Sequence, residues 1–127
     1  MYLKMEKLWK IIWLDDMRNP FVTVKGNLSW VEYITGINPS KTESIVWVTN
    51  YQDFVKEITD NLHLPDIICF DHDLGEGESG YDALKWLVDY CLQGNIPLPR
   101  CYSQSSNPAG RKSILELAEN FTKFQGL

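Results

Sequence analysis

Paired cysteines, long apolar runs and an excess of positive charge are all missing from this chain, and each absence closes off a class of protein. The three cysteines, Cys69, Cys91 and Cys101, sit singly inside apolar runs, with no C-x-x-C pair. That spacing argues against a zinc ribbon, a dithiol redox centre or a disulfide scaffold, and the thiols are expected to be buried and reduced. No stretch approaches the roughly 20 apolar residues of a membrane span. Lys4, Glu6, Lys7 and Lys10 break up the first fifteen residues, so there is no signal-peptide core and the expected location is the cytoplasm. A net charge of −5 argues against a broad basic face that tracks nucleic-acid phosphates. One local cationic pocket, enough for a terminal phosphate or a small nucleotide, remains open. Internal repeats and low-complexity segments are absent as well.

What is present suits one domain spanning residues 1–127. Of these 127 residues 44% are hydrophobic, and five Trp and six Tyr supply the buried area to close a core without staples. Leu8 to Leu14 is a continuous apolar run, rich in β-branched and aromatic residues, stopped by Asp15-Asp16. It reads as a buried strand ending in two carboxylates. Ile45 to Val48 is a second such run; Thr49-Asn50 then caps a helix whose inner face is Phe54, Val55, Ile58 and Leu62. Ile67 to Phe70 forms a third run and again ends in acid, at Asp71-His72-Asp73. Beyond the glycine-rich turn 75–80, Tyr81, Leu84, Val88 and Cys91 mark a second helix. Arg100 to Ser103 is a short strand, and Ile114, Leu117, Ala118 and Phe121 face inward from a last helix.

Continuous apolar strands alternating with amphipathic helices specify a three-layer α/β/α open parallel sheet of four to five strands, joined by right-handed crossovers. Residues 17–44 do not fit the alternation. Two glycines, two prolines and only a short apolar stretch around Trp30 to Ile34 predict an extended insertion with a helical turn or two.

In open parallel sheets ligands sit beyond the carboxyl ends of the strands. The acids fall there: Asp15 and Asp16 after one strand, Asp71 and Asp73 after another. If those strands are neighbours, the repulsion between converging carboxylates calls for a hard divalent cation, Mg²⁺ or Mn²⁺. The bland alternative is that each Asp caps a helix or lies in a solvated turn. His72 is placed to move a proton in the crevice or, pointing the other way, to hydrogen-bond locally. Residues 103–112 place Ser105, Asn107, Gly110, Arg111 and Lys112 at a strand-to-helix junction, where free backbone N–H groups favour an anion. Together with Arg18 they form the candidate phosphate side of the site, unless Arg111 and Lys112 are simply exposed. His63 has no acidic or cysteine company and reads as a loop residue.

Leu14-Asp15-Asp16-Met17-Arg18-Asn19-Pro20, Asp71-His72-Asp73-Leu74-Gly75, Gly80 to Leu87 and Ser105 to Gly110 resemble the signature blocks of the cyclic-phosphate processing receiver domain family. The resemblance runs from Trp9 to about Ala118 and implies a flavodoxin-like sheet akin to response-regulator receivers. It implies that Asp15, Asp16 and Asp71 bind the metal, with Asp71 at the position receivers phosphorylate. His72, Ser105 and Asn107 would be the elements added for a cyclic phosphate end. Two departures stand out. Gln104 occupies the place of a family histidine, and no fifth strand with a phosphoryl-contacting lysine follows the last helix.

These residues support two readings. The first is a metal-dependent phosphoesterase acting on cyclic phosphate ends of RNA or on cyclic nucleotides. The second is a non-catalytic receiver-like module that works by protein contact, through the 17–44 insertion with Trp30 and Tyr33, or by sequestering a nucleotide. A signalling receiver phosphorylated on Asp71 is a third and weaker alternative.

Overall fold

The computed structural model describes residues 6–126; Lys4, counted above among the N-terminal charges, lies outside them. Strand β1 (Trp9–Leu14) lies between β4 (Thr42–Val48) and β5 (Ile67–Phe70), and β6 (Arg100–Ser103) flanks β5. All three pairings are parallel, with Leu14 opposite both Val48 and Phe70, and Phe70 opposite Ser103. The order β4-β1-β5-β6 is that of a flavodoxin-like receiver sheet without its fifth strand, as expected. Among the described residues no strand follows the last helix. The chain changes direction across the sheet between β1 and β5, which makes their carboxyl ends the point where a crevice opens.

Three helices cover one face: α2 (Tyr51–Thr59), α3 (Gly80–Gly94) and α4 (Pro108–Gln125). Each begins at a side-chain cap, Asn50, Ser79 and Asn107 respectively, and Ser79 forms a reciprocal capping box with Asp82. Their apolar stripes close on Ile12, Leu14, Ile68 and Phe70 to form the larger core. Each such side chain contributes about 1.5–3 kcal/mol when fully buried.

The opposite face is covered differently. The β1–β4 connection moves the other way across the sheet, so a right-handed crossover puts it on that side. It carries a small antiparallel hairpin, β2 (Thr23–Lys25) with β3 (Leu28–Ser29), then α1 (Trp30–Thr35) and a 3-10 turn at Pro39–Lys41. Val31, with Trp30, Ile34 and Ile37, packs onto Ile11, Trp13, Ile67 and Cys69 in a second, smaller core. The insertion is therefore the cover of this face, and the hairpin was not anticipated.

Two local expectations are corrected. α2 ends at Thr59, where Asn61 Nδ2 turns back to donate to the Glu57 carbonyl oxygen, so Leu62 points outward and is 92% exposed. Cys101 is only partly buried, whereas Cys69 and Cys91 are fully so, and all three are free thiols. Burial pushes the Cys91 thiol up to about 11 and that of Cys101 up to about 12. No helix among the described residues is long and apolar enough to cross a membrane.

Candidate functional site

The parallel ladder runs one residue past the strands. Asp15 N–H donates to the Val48 carbonyl at 3.0 Å, and Asp71 N–H to the Leu14 carbonyl at 2.8 Å. Side chains alternate along a strand, so Asp15 follows Trp13, and Asp71 follows Cys69, toward the thinly covered face. His72 follows Phe70 to the helix side. The register that aligns Leu14 with Phe70 sets Asp15 and Asp71 side by side.

Asp15, Asp16 and Asp71 each offer an oxygen within 4.8 Å of the others. Asp15 and Asp71 are buried, and one Asp16 oxygen, Oδ1, is buried with no hydrogen-bond partner. Arg18 reaches into the group. Its Nη1 lies 3.2 Å from Asp15 Oδ2 and 3.5 Å from Asp71 Oδ2, and its guanidinium carbon sits 5.4 Å from the centre of the Trp30 ring. Burial pushes the Asp71 carboxyl up to about 6, the charges of Asp15 and Asp16 push the same way, and Arg18 offsets part of the rise.

Tryptophans fix the turn that carries these groups. Trp13 Nε1 donates to the Arg18 carbonyl at 2.9 Å, and Trp47 Nε1 to the Asp15 carbonyl at 2.8 Å. Across the crevice Gln104 is buried, its Nε2 donating to the Leu14 carbonyl at 3.0 Å and to Asp15 Oδ2 at 3.3 Å. Its Oε1 is buried without a partner.

The family described as Cyclic-phosphate processing Receiver domain matches residues 10–120, nearly the whole sheet and its helices. The chain belongs to that family. No curated protein and no solved structure matches it. Within this cyclic-phosphate processing receiver domain, three oxygen-bearing acids, one with an unsatisfied buried oxygen, fit a hard divalent cation.

The remaining expected residues form a second group beside the first. His72 Nδ1 lies 2.9 Å from Asp73 Oδ1, and Asn107 Nδ2 donates to Asp73 Oδ2 at 3.4 Å. Asp73, expected as a fourth metal ligand, is thus not gathered with the other three; its side chain is 67% exposed. The chain leaves the sheet after Asp71, and the helix-side partners His72 and Asn107 hold Asp73 with them. The His72 ring packs directly on α4's first turn, where a Cβ on Gly110 would stand 2.4 Å from His72 Cγ. Gly80 allows a similar approach: its added Cβ would lie 1.7 Å from the Asp71 carbonyl oxygen.

Two phosphate-side expectations change. The Gly110 N–H is not free for an anion, because it donates to the capping Asn107 Oδ1 at 3.0 Å. Lys112 turns to the outer face of α4 toward Glu116, 3.8 Å away. Arg111 is exposed and its Nη1 reaches the Ser105 carbonyl at 3.5 Å. Ser105 is buried, and its Oγ accepts from the Asn107 N–H at 3.1 Å, bracing the turn.

Sequence reasoning placed neither Trp13 nor Trp47 at the site, and read Gln104 only as the replacement of a family histidine. For Trp13 and Trp47 a signal existed, since each is the last residue but one of its strand. A concave surface also lies elsewhere, at the amino edge near Lys10, Glu43, Glu57 and His63. Its charges are of mixed sign, with Lys10 standing 3.9 Å from Glu43, whereas three acids gather at the opposite edge.

Proposed function

We propose that this domain is a metal-dependent phosphoesterase acting on cyclic phosphate ends of RNA or on cyclic nucleotides. The observation that carries the reading is the buried group Asp15, Asp16 and Asp71, with an unpartnered Asp16 oxygen and Arg18 lying against it. These three acids would hold Mg²⁺ or Mn²⁺, which when bound supplies Lewis-acid polarisation of a phosphoryl oxygen. Arg18 then binds and orients the phosphate, as a planar guanidinium does better than an ammonium. Asp73 fixes the His72 ring through Nδ1 and leaves Nε2 to take or give the proton, while Asn107 steadies Asp73. Ser105 keeps the turn in shape, and Arg111, at the rim, is available to the rest of a nucleotide.

Turnover of a 2′,3′-cyclic-phosphate RNA oligonucleotide and a panel of cyclic nucleotides, followed by mass spectrometry with Mg²⁺ or Mn²⁺, tests this. Wild type should form a linear phosphate product; Asp71→Asn should form none while keeping its circular dichroism spectrum. Equal turnover by the two proteins would remove the reading.

A second reading draws on Gln104. With an amide against Asp15 in place of an imidazole, the site lacks one proton-transfer group and suits binding without turnover. Its contact surface would be the outer side of the insertion, where Phe21, Val22, Val24, Leu28 and Tyr33 are exposed. Trp30, named earlier for that surface, instead faces inward beneath Arg18.

A further inference from the structure

An ionised carboxylate offers about four lone-pair directions to donors, and Asp15 has four donors. Its Oδ1 accepts from the N–H groups of Met17 at 2.9 Å and Arg18 at 2.7 Å. Its Oδ2 accepts from Arg18 Nη1 at 3.2 Å and Gln104 Nε2 at 3.3 Å. A cation that needs an Asp15 oxygen therefore requires one donor to leave. The two backbone donors belong to a turn pinned by Trp13, and Gln104 is buried and held on the Leu14 carbonyl by the same nitrogen. The guanidinium is the movable one. Its side chain is 20% exposed, and its second contact, to Asp71, is long at 3.5 Å. Two residues of the same group each carry a buried oxygen without a partner, Asp16 Oδ1 and Gln104 Oε1; Gln104 is 4% exposed, and its amide nitrogen already rests on Asp15. Buried acceptors left without donors are costly, and a bound cation beside them would satisfy them.

We infer that Arg18 is a resident counter-cation of the acidic group, which gives up Asp15 and Asp71 when a divalent ion is taken up and so becomes free to bind an anion. The inference rests on the metal-dependent reading above and adds an order to it. Without the ion, the guanidinium is engaged by two carboxylates and grips phosphate weakly. With the ion, the same group stands over Trp30 with its donors unspent. Ion and phosphate binding are then coupled through one side chain, and by linkage phosphate must tighten the ion to the same degree.

Isothermal titration of the full chain with Mn²⁺ alone compares wild type with Arg18→Met, which keeps the stem over Trp30 and removes the charge. The variant should bind the ion at least roughly fivefold more tightly, the lower end of ordinary coupling between sites. Equal or weaker binding by a folded variant would overturn the exchange and leave the metal site standing. No binding by either protein would overturn both. Should Arg18→Met fail to fold, the wild type still answers. Its Arg18 Nε–H resonance, identified by its loss in Arg18→Lys, should move on saturation with Mg²⁺ and again on adding inorganic phosphate. A resonance unmoved by saturating Mg²⁺ overturns the inference.

Discussion

Asp71 sits where burial and two like charges act on a single carboxyl group, and its proton is held accordingly. In the folded chain it titrates near 6, against an ordinary value of 3.8. Between those values the folded state binds more protons than the unfolded one. The stability this group confers is thus full below about pH 4 and lost as pH rises through about 6. Without metal at pH 7.5, Asp71→Asn should be more stable than wild type by on the order of 2 kcal/mol in urea unfolding, and the gap should close toward pH 4. Mg²⁺ should stabilise wild type but not the variant. A gap independent of pH would show that the carboxyl is not strained in this way.

At the scale of elements, α4 begins against His72, and Gly110 makes that contact possible. In Gly110→Ala the new methyl would overlap the imidazole, 2.4 Å from Cγ, so the ring must leave its place beside Asp73. Turnover should drop by roughly a hundredfold or more, the lower end of what a positioned proton-transfer group contributes, while Mn²⁺ affinity by titration stays that of wild type. Loss of both together would mean that α4 and the acidic group are not separable. The same scale shows what the sequence could reveal. β1 and β5 were legible because each is a continuous apolar run stopped by acid, and that pattern also located Asp15, Asp16 and Asp71. The β2–β3 hairpin was not, because strands of three and two residues on an exposed insertion carry no periodicity. Leu62 kept helical spacing past a helix that had already ended. The direction in which Asp73 points depends on where the chain leaves the sheet, and the burial of Gln104 against Asp15 spans 89 residues of sequence; local pattern holds neither.

The molecule as a whole is unevenly clothed, with three long helices on one face and a short insertion on the other. Ile11, Trp13, Ile67 and Cys69 depend on that insertion for cover. At about 1.5–3 kcal/mol for each large side chain, uncovering them would consume much of the 5–15 kcal/mol stability of an ordinary domain. Replacing residues 20–40 by a short linker should therefore abolish cooperative thermal unfolding measured by circular dichroism. Phe21→Ser on the outer side should shift stability by less than about 0.5 kcal/mol. If the shortened chain still unfolded cooperatively near the wild-type temperature, the insertion would be an appendage and not a layer. The indoles that brace the Asp15–Arg18 turn have one more consequence. Trp13 and Trp47 are bonded to its carbonyls and Trp30 lies beneath its guanidinium, so the site is built among its own fluorophores. Any rearrangement of that turn alters the polarity and charge around an emitting ring, which makes the unlabelled protein an optical sensor of its own occupancy.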